Sequence, residues 1–186
     1  MEWLEDSDKI AQGAIVDGMD WGEDGPALSI ILSNSCDLEH DKAGFIVLAA
    51  LVPAAETLQQ TKEFKNKVDG AIDYKLSGKK WKSFSDFLAG FIHNKNIGRY
   101  YYFNPAPIVE MDPLFVDFQF IKSIRFEQFR QSVEDGEITI ISKLKHPFIE
   151  ELMMHFVSYT GRVPVSRVEL EDEPRDLQIM AGNYHN

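Results

Sequence analysis

The stretch LSIILSNSCDLEHDKAGFIVLAALVPA, residues 28–54, decides the fold. Two apolar runs, 28–32 and 45–52, flank a polar segment that holds the single cysteine of the chain, Cys36. Each run is rich in β-formers, too short for a good helix and bounded by turn residues, so each reads as a buried strand. The segment SNSCDLEH between them reads as a structured turn, its Asp side chains accepting from backbone N–H groups. Upstream, AQGAIVDGMDW alternates near its centre and runs into a turn at residues 22–25, which predicts one more strand. Three strands with short connections make an antiparallel meander.

The character changes at Pro53. PAAETLQQTKEFKNKV is polar, rich in helix formers and thin in apolar residues, which predicts an exposed helix. In SFSDFLAGFIH, Ser83 can cap, Asp86 follows three residues later, and Phe84, Phe87, Leu88, Phe91 and Ile92 share one helical face. That helix is expected to dock firmly on the sheet. RYYYFNP, LFVDFQFI and EITIISKL return to strand patterning. In the second, Val116, Phe118 and Phe120 form an apolar face expected to meet the core, with Phe115, Asp117 and Gln119 on the other. Asp135 and Gly136 read as a hairpin-type turn before the last strand. HPFIEELMMHFVSYTGR predicts a final, broadly buried helix with Pro147 at its first position and Gly161 past its end.

Strands, a helical insert, strands and a helix do not alternate as βαβ units, which argues against a parallel sheet. The expected fold class is α+β: a small antiparallel β-barrel with a helical insert and a C-terminal helix. One domain spans 1–166, with barrel strands over 10–52 and 98–143, the insert over 53–97 and the last helix over 146–160. Residues 167–186 read as an acidic, loosely held tail.

With 186 residues, 44% of them hydrophobic, the chain can bury a real core. Its formal net charge of -11 repels a phosphate backbone, so nucleic acid can be met only through a local basic patch. One cysteine leaves no internal disulfide, and the start MEWLEDSD is not a basic, apolar leader, so a cytoplasmic setting is expected. The apolar run FIVLAALV is far shorter than a membrane-crossing helix needs, and no membrane partner is expected.

Two resemblances add to this reading. The N-terminal part resembles the PemK/MazF-like toxins, which begin with a G-x-(I/V)-(V/W) strand, a charged loop and RPA-(V/L)-(V/I)-(L/I)-S-N. Gly13, Ile15, Val16, Pro26, Ala27, Ser33 and Asn34 match that pattern. The resemblance implies an SH3-like barrel and, for such ribonucleases, an arginine in the loop after the first strand. The matching loop here is GEDGPA, without arginine, and Glu23 and Asp24 repel the phosphate a ribonuclease must stabilise. More of the chain is similar to an uncharacterised bacterial family with S-Q-(S/T)-C-D-(I/L), a VDF-like strand and a late L-x-x-P-(Y/F) helix; here they read SNSCDL, LFVDF and LKHPF. That second resemblance implies no activity.

Several residues qualify as candidates. Cys36 can act as a nucleophile with His40 as base and Asp37 or Asp41 as orienter. Asp37 beside the thiol discourages thiolate, and free cysteine is among the most buried residue types, so a small core residue at a strand end is the favoured reading. Asp37, Glu39, His40 and Asp41 match no standard zinc spacing; no metal and no cofactor is expected. Between residues 60 and 82, seven lysines stand against three acids. Lys62, Lys65, Lys79, Lys80, Trp81 and Lys82 make the candidate docking face for an acidic partner, with nucleic acid reachable only here; the competing reading is a solvated helix face. RYYYF and His155 read as core, His155 being hydrogen-bonded and partly buried, and Arg162 as a helix-end cap. The functional expectation is a non-catalytic interaction module with a protein partner, set by the toxin-like resemblance in a mobile-element or defence system. The alternative is a PemK/MazF-like ribonuclease or other hydrolase with a replaced catalytic set.

Overall fold

A computed structural model describes residues 3–22, 25–40, 42–69, 76–95, 98–105 and 111–161. The meander read from the opening stretch is present: β2 (Ala14–Asp17), β3 (Leu28–Ile31) and β4 (Phe45–Pro53) pair antiparallel in order. A two-residue strand, β1 (Leu4–Glu5), precedes them. The later strands are β5 (Tyr100–Phe103), β6 (Leu114–Arg125) and β7 (Thr139–Leu144). The seven strands form one sheet in the order β1-β7-β2-β3-β4-β6-β5, every pairing antiparallel. The sheet curls into a half-barrel whose edges are β1 and β5, so the expected barrel is open rather than closed.

Alternation along the strands builds two apolar layers. Ile15, Ile30, Ala49, Leu51 and Val116 face one way and are covered by α6 (Phe148–Thr160) through Ile149 and Leu152. Ala14, Val16, Ile31, Ile46 and Leu48 face the other. That face is covered by Leu38 of the short helix α1 (Ser35–Glu39) and by Phe126 and Phe129 of α5 (Phe126–Glu134). Between β4 and β5 lie α2 (Ala54–Gln60), α3 (Lys62–Val68) and α4 (Gly78–Ile92).

Several expectations are corrected. Asp135 and Gly136 do not turn a hairpin; they end α5. Gly136, at φ 77°, donates to the Val133 carbonyl and Glu137 to that of Ser132, which closes the helix with a left-handed residue. The alternation of β6 breaks where Ala49 pairs Ile121 but the next residue, Ala50, pairs Asp117, so residues 118–120 bulge from the ladder. Phe120 therefore stands exposed, stacked on Trp21 at 4.9 Å, while Phe115 and Asp117 are buried. The single exposed helix after Pro53 is two, broken at Thr61, whose extended backbone starts a new helix. The helix expected from Ser83 starts at Gly78, and none of its residues is fully buried. It rests half-buried on the sheet through Phe91 against Phe115 at 5.7 Å. α6 is buried on one side only: Met154 and Val157 are exposed. Pro147 is its N-cap rather than its first residue. Arg162 and the 167–186 tail lie outside the described residues. Among the described residues no helix is long and apolar enough to cross a membrane.

Candidate functional site

α3 and α4 form a helical hairpin on the rim of the half-barrel. Thr61 Oγ1 starts α3 by accepting from the Phe64 N–H at 3.2 Å. Phe64 meets Phe84 edge-on at 5.3 Å, and Phe84, Phe87 and Phe91 continue in file towards Phe115 of the sheet. Two lysines cross between the helices. Lys67 Nζ donates to Ser83 Oγ at 2.6 Å, and Lys80 Nζ donates to the Asp69 carbonyl at 2.8 Å.

Charge is placed unevenly on this hairpin. Lys65 and Lys67 lie in the last turn of α3, where cations complement the helix dipole. Lys79, Lys80 and Lys82 lie at the opposite kind of end, the start of α4. Ser77, the N-cap residue, makes no side-chain cap hydrogen bond, and the first turn holds no acid. Lys79 and Lys80, in that first turn, each work against the dipole by an amount on the order of 0.3–1 kcal/mol. Trp81, 56% exposed, lies between them and Lys82 in sequence, 6.1 Å from Phe84. A groove of about 490 Å³ is lined by Lys67, Lys79, Lys82, Ser83, Asp86 and Phe87.

The structure thus brings Lys79 and Lys82 together with Lys67. Lys62 and Lys65 are exposed on α3, and Lys80 and Trp81 are exposed on α4 without lining the groove. Lys75 and Asp73 of the same stretch lie outside the described residues. Sequence reasoning missed Ser83, Asp86 and Phe87 as groove residues because the helix was started at Ser83. Starting it at Gly78 puts Lys79, Lys82, Ser83 and Asp86 on one face at i, i+3, i+4 and i+7.

The Cys36 segment connects the antiparallel strands β3 and β4, as expected of a hairpin connection, and holds a short helical turn. Asn34 Oδ1 accepts from the Cys36 N–H at 3.0 Å, and the Asp37 carbonyl accepts from Lys42 and Ala43. Cys36 is exposed, which corrects the expectation of a buried thiol; Leu38 takes the inward position. Asp37 and His40 are exposed too, and Asp41 lies outside the described residues. Among the described residues no three of His, Cys, Asp and Glu gather as a metal-holding group.

The aromatic strand β5 splits as a core strand does: Tyr101 and Phe103 are buried, Tyr100 and Tyr102 half-buried. Arg99 before it is spoken for. Its Nε and Nη2 reach Asp117 at 2.7 and 2.5 Å, and the carboxylate also accepts from the Gln119 N–H at 3.0 Å. That hydrogen bond raises the Arg99 pKa above its ordinary value. His155 is buried beside Tyr101, and its Nδ1 has no partner among the described residues. No protein-family model matches the chain, and no curated protein matches it.

Proposed function

We propose that the protein is a non-catalytic interaction module of the bacterial cytosol, an SH3-like half-barrel that docks an acidic protein partner on its α3–α4 hairpin. The observation that carries this reading is the set of three exposed lysines at the start of α4. Lys79 and Lys80, in the first turn, oppose the helix dipole with no acid or side-chain cap there to offset them, Lys80 being offset only by its bond to the Asp69 carbonyl, and residues that break a local rule tend to be kept for function. The exposed Trp81 at their centre supports it, since interface anchors are enriched in tryptophan. The rest of the chain is acidic, so the hairpin is where an acidic partner meets least repulsion.

The test is recovery of the native partner from the source cell with the wild-type chain and with Lys79→Glu/Lys80→Glu/Lys82→Glu. Recovery is expected to collapse for the triple variant while circular dichroism is unchanged. Association with the wild type is expected to slow as salt rises, because exposed charges are screened over about 8–10 Å near physiological ionic strength. Unchanged recovery removes the hairpin as the docking face. Cleavage of single-stranded RNA by purified protein, abolished by one named substitution, would favour the toxin-like hydrolase instead.

A further inference from the structure

We infer that the α3–α4 groove takes a peptide segment of the partner in which carboxylates flank a bulky apolar side chain, and not a phosphodiester backbone. The inference rests on the docking reading above and specifies its ligand.

The groove has two kinds of wall. Lys67, Lys79 and Lys82 supply ammonium groups, and Phe87 supplies an apolar surface continuous with the aromatic file. Lys67 already spends one donor on Ser83 Oγ. An ammonium group carries three, so its charge and further donors stay available. The groove, about 490 Å³, is shallow and open to solvent, so a ligand lies along it rather than inside it. A ligand that satisfied only the lysines would leave the Phe87 surface in water. One carrying an apolar side chain between its charges covers it, and burial of such a side chain is what makes an interface centre strong.

Asp86 decides against phosphate. It lines the same groove, one helical turn beyond Lys82. A nucleic-acid strand carries a charge at every nucleotide and cannot pass the groove without bringing one towards that carboxylate. A peptide can place a neutral residue there, and its backbone N–H can donate to Asp86. None of the lining residues is an arginine, the side chain whose planar fork matches phosphate oxygens two at a time.

The experiment uses the full chain and three fluorescein-labelled probes of equal length. One is a synthetic peptide of Glu interspersed with Leu and Phe, the second is the same peptide with Ala for Leu and Phe, and the third is single-stranded RNA. Binding is read by anisotropy at physiological salt. The first probe is expected to bind at least about tenfold tighter than either other, a gap of about 1.4 kcal/mol. Phe87→Ala should narrow the gap between the two peptides, and Lys79→Gln/Lys82→Gln should weaken both. Equal binding of the two peptides overturns the apolar anchor, and RNA binding as tight as the first probe overturns the peptide class. In either case the docking face stands if the lysine variant still weakens binding. No binding by any probe, or binding insensitive to the lysine variant, overturns the inference and the docking reading together. Circular dichroism confirms that each variant is folded.

Discussion

His155 carries the clearest pH signature in the molecule. Its ring is buried edge-on to Tyr101 at 5.4 Å, and Nδ1 has no hydrogen-bond partner among the described residues. Burial lowers its pKa, and the nearby Glu151 carboxylate opposes that only in part. The neutral ring therefore favours the folded state. Its contribution is complete above the unfolded value, about 6.5, and is lost as pH falls through that value towards the lower folded one. Melts between about pH 5 and 7.5 should show falling stability on the acid side, and His155→Phe should flatten part of that slope. The same change should alter stability near neutrality by less than about 1.5 kcal/mol, because shape is nearly kept and the orphaned nitrogen is removed. An unchanged slope would mean that other groups carry the acid transition. Asp117 shows the limit of reading residues by alternation. The pattern in LFVDFQFI set it opposite the core, yet it is buried, because the bulge at 118–120 needs a carboxylate to hold the Gln119 N–H and Arg99. Asp117→Ala should cost about 1–3 kcal/mol in urea titrations, the upper end tempered by the half-exposed Arg99. Cys36 was misjudged for a different reason: burial statistics describe cysteines in general, and a five-residue helix turned this one outward. The exposed thiol is expected to be modified by iodoacetamide without unfolding of the chain.

At the scale of elements, the strands were legible and the helix ends were not. Period-2 runs located β2, β3, β4, β5 and β7 because one or both faces of each are buried. α5 was missed although Phe126, Phe129 and Val133 have helical spacing; the Asp–Gly pair after it signals a hairpin and a helix stop alike, and only the tertiary partner decides. The end of α4 has a second function that no local pattern announces. Asn94, at φ 48°, closes the helix, with its own N–H on the Phe91 carbonyl and that of Lys95 on Gly90. Its side chain also accepts from the Tyr102 N–H at 2.7 Å and donates to the Tyr102 carbonyl at 2.8 Å. One carboxamide thus occupies both backbone groups that Tyr102 turns to the open side of edge strand β5. Asn94→Gly separates the two roles, because glycine keeps the left-handed backbone but loses both bonds. If only the backbone mattered, the change would be close to neutral. The expected outcome is a loss of about 1–3 kcal/mol together with concentration-dependent association by light scattering.

At the scale of the whole molecule, the α3–α4 hairpin is set apart from what holds the fold together. Both apolar layers of the half-barrel are sealed by α6 on one face and by α1 and α5 on the other, while α3 and α4 bury no residue completely. The hairpin should therefore open at lower free energy than the sheet, and its amides should exchange sooner. Charge sharpens the point. The lysines at the start of α4 attract the acidic body over distance but oppose the dipole of their own helix at contact range. At physiological salt the first effect is screened beyond about 8 Å, whereas the second acts within the first turn. The local term should win, so Lys79→Glu, which keeps the Lys80 bond to Asp69, should strengthen α4 even as it weakens binding of an acidic partner. A gain of about 1 kcal/mol would slow exchange of the α4 amides roughly fivefold in the free protein. Slower exchange with weakened binding is the pattern of residues kept for a partner at the expense of stability. Faster exchange would show that the lysines serve the hairpin itself, and would leave the groove without the observation that singled it out.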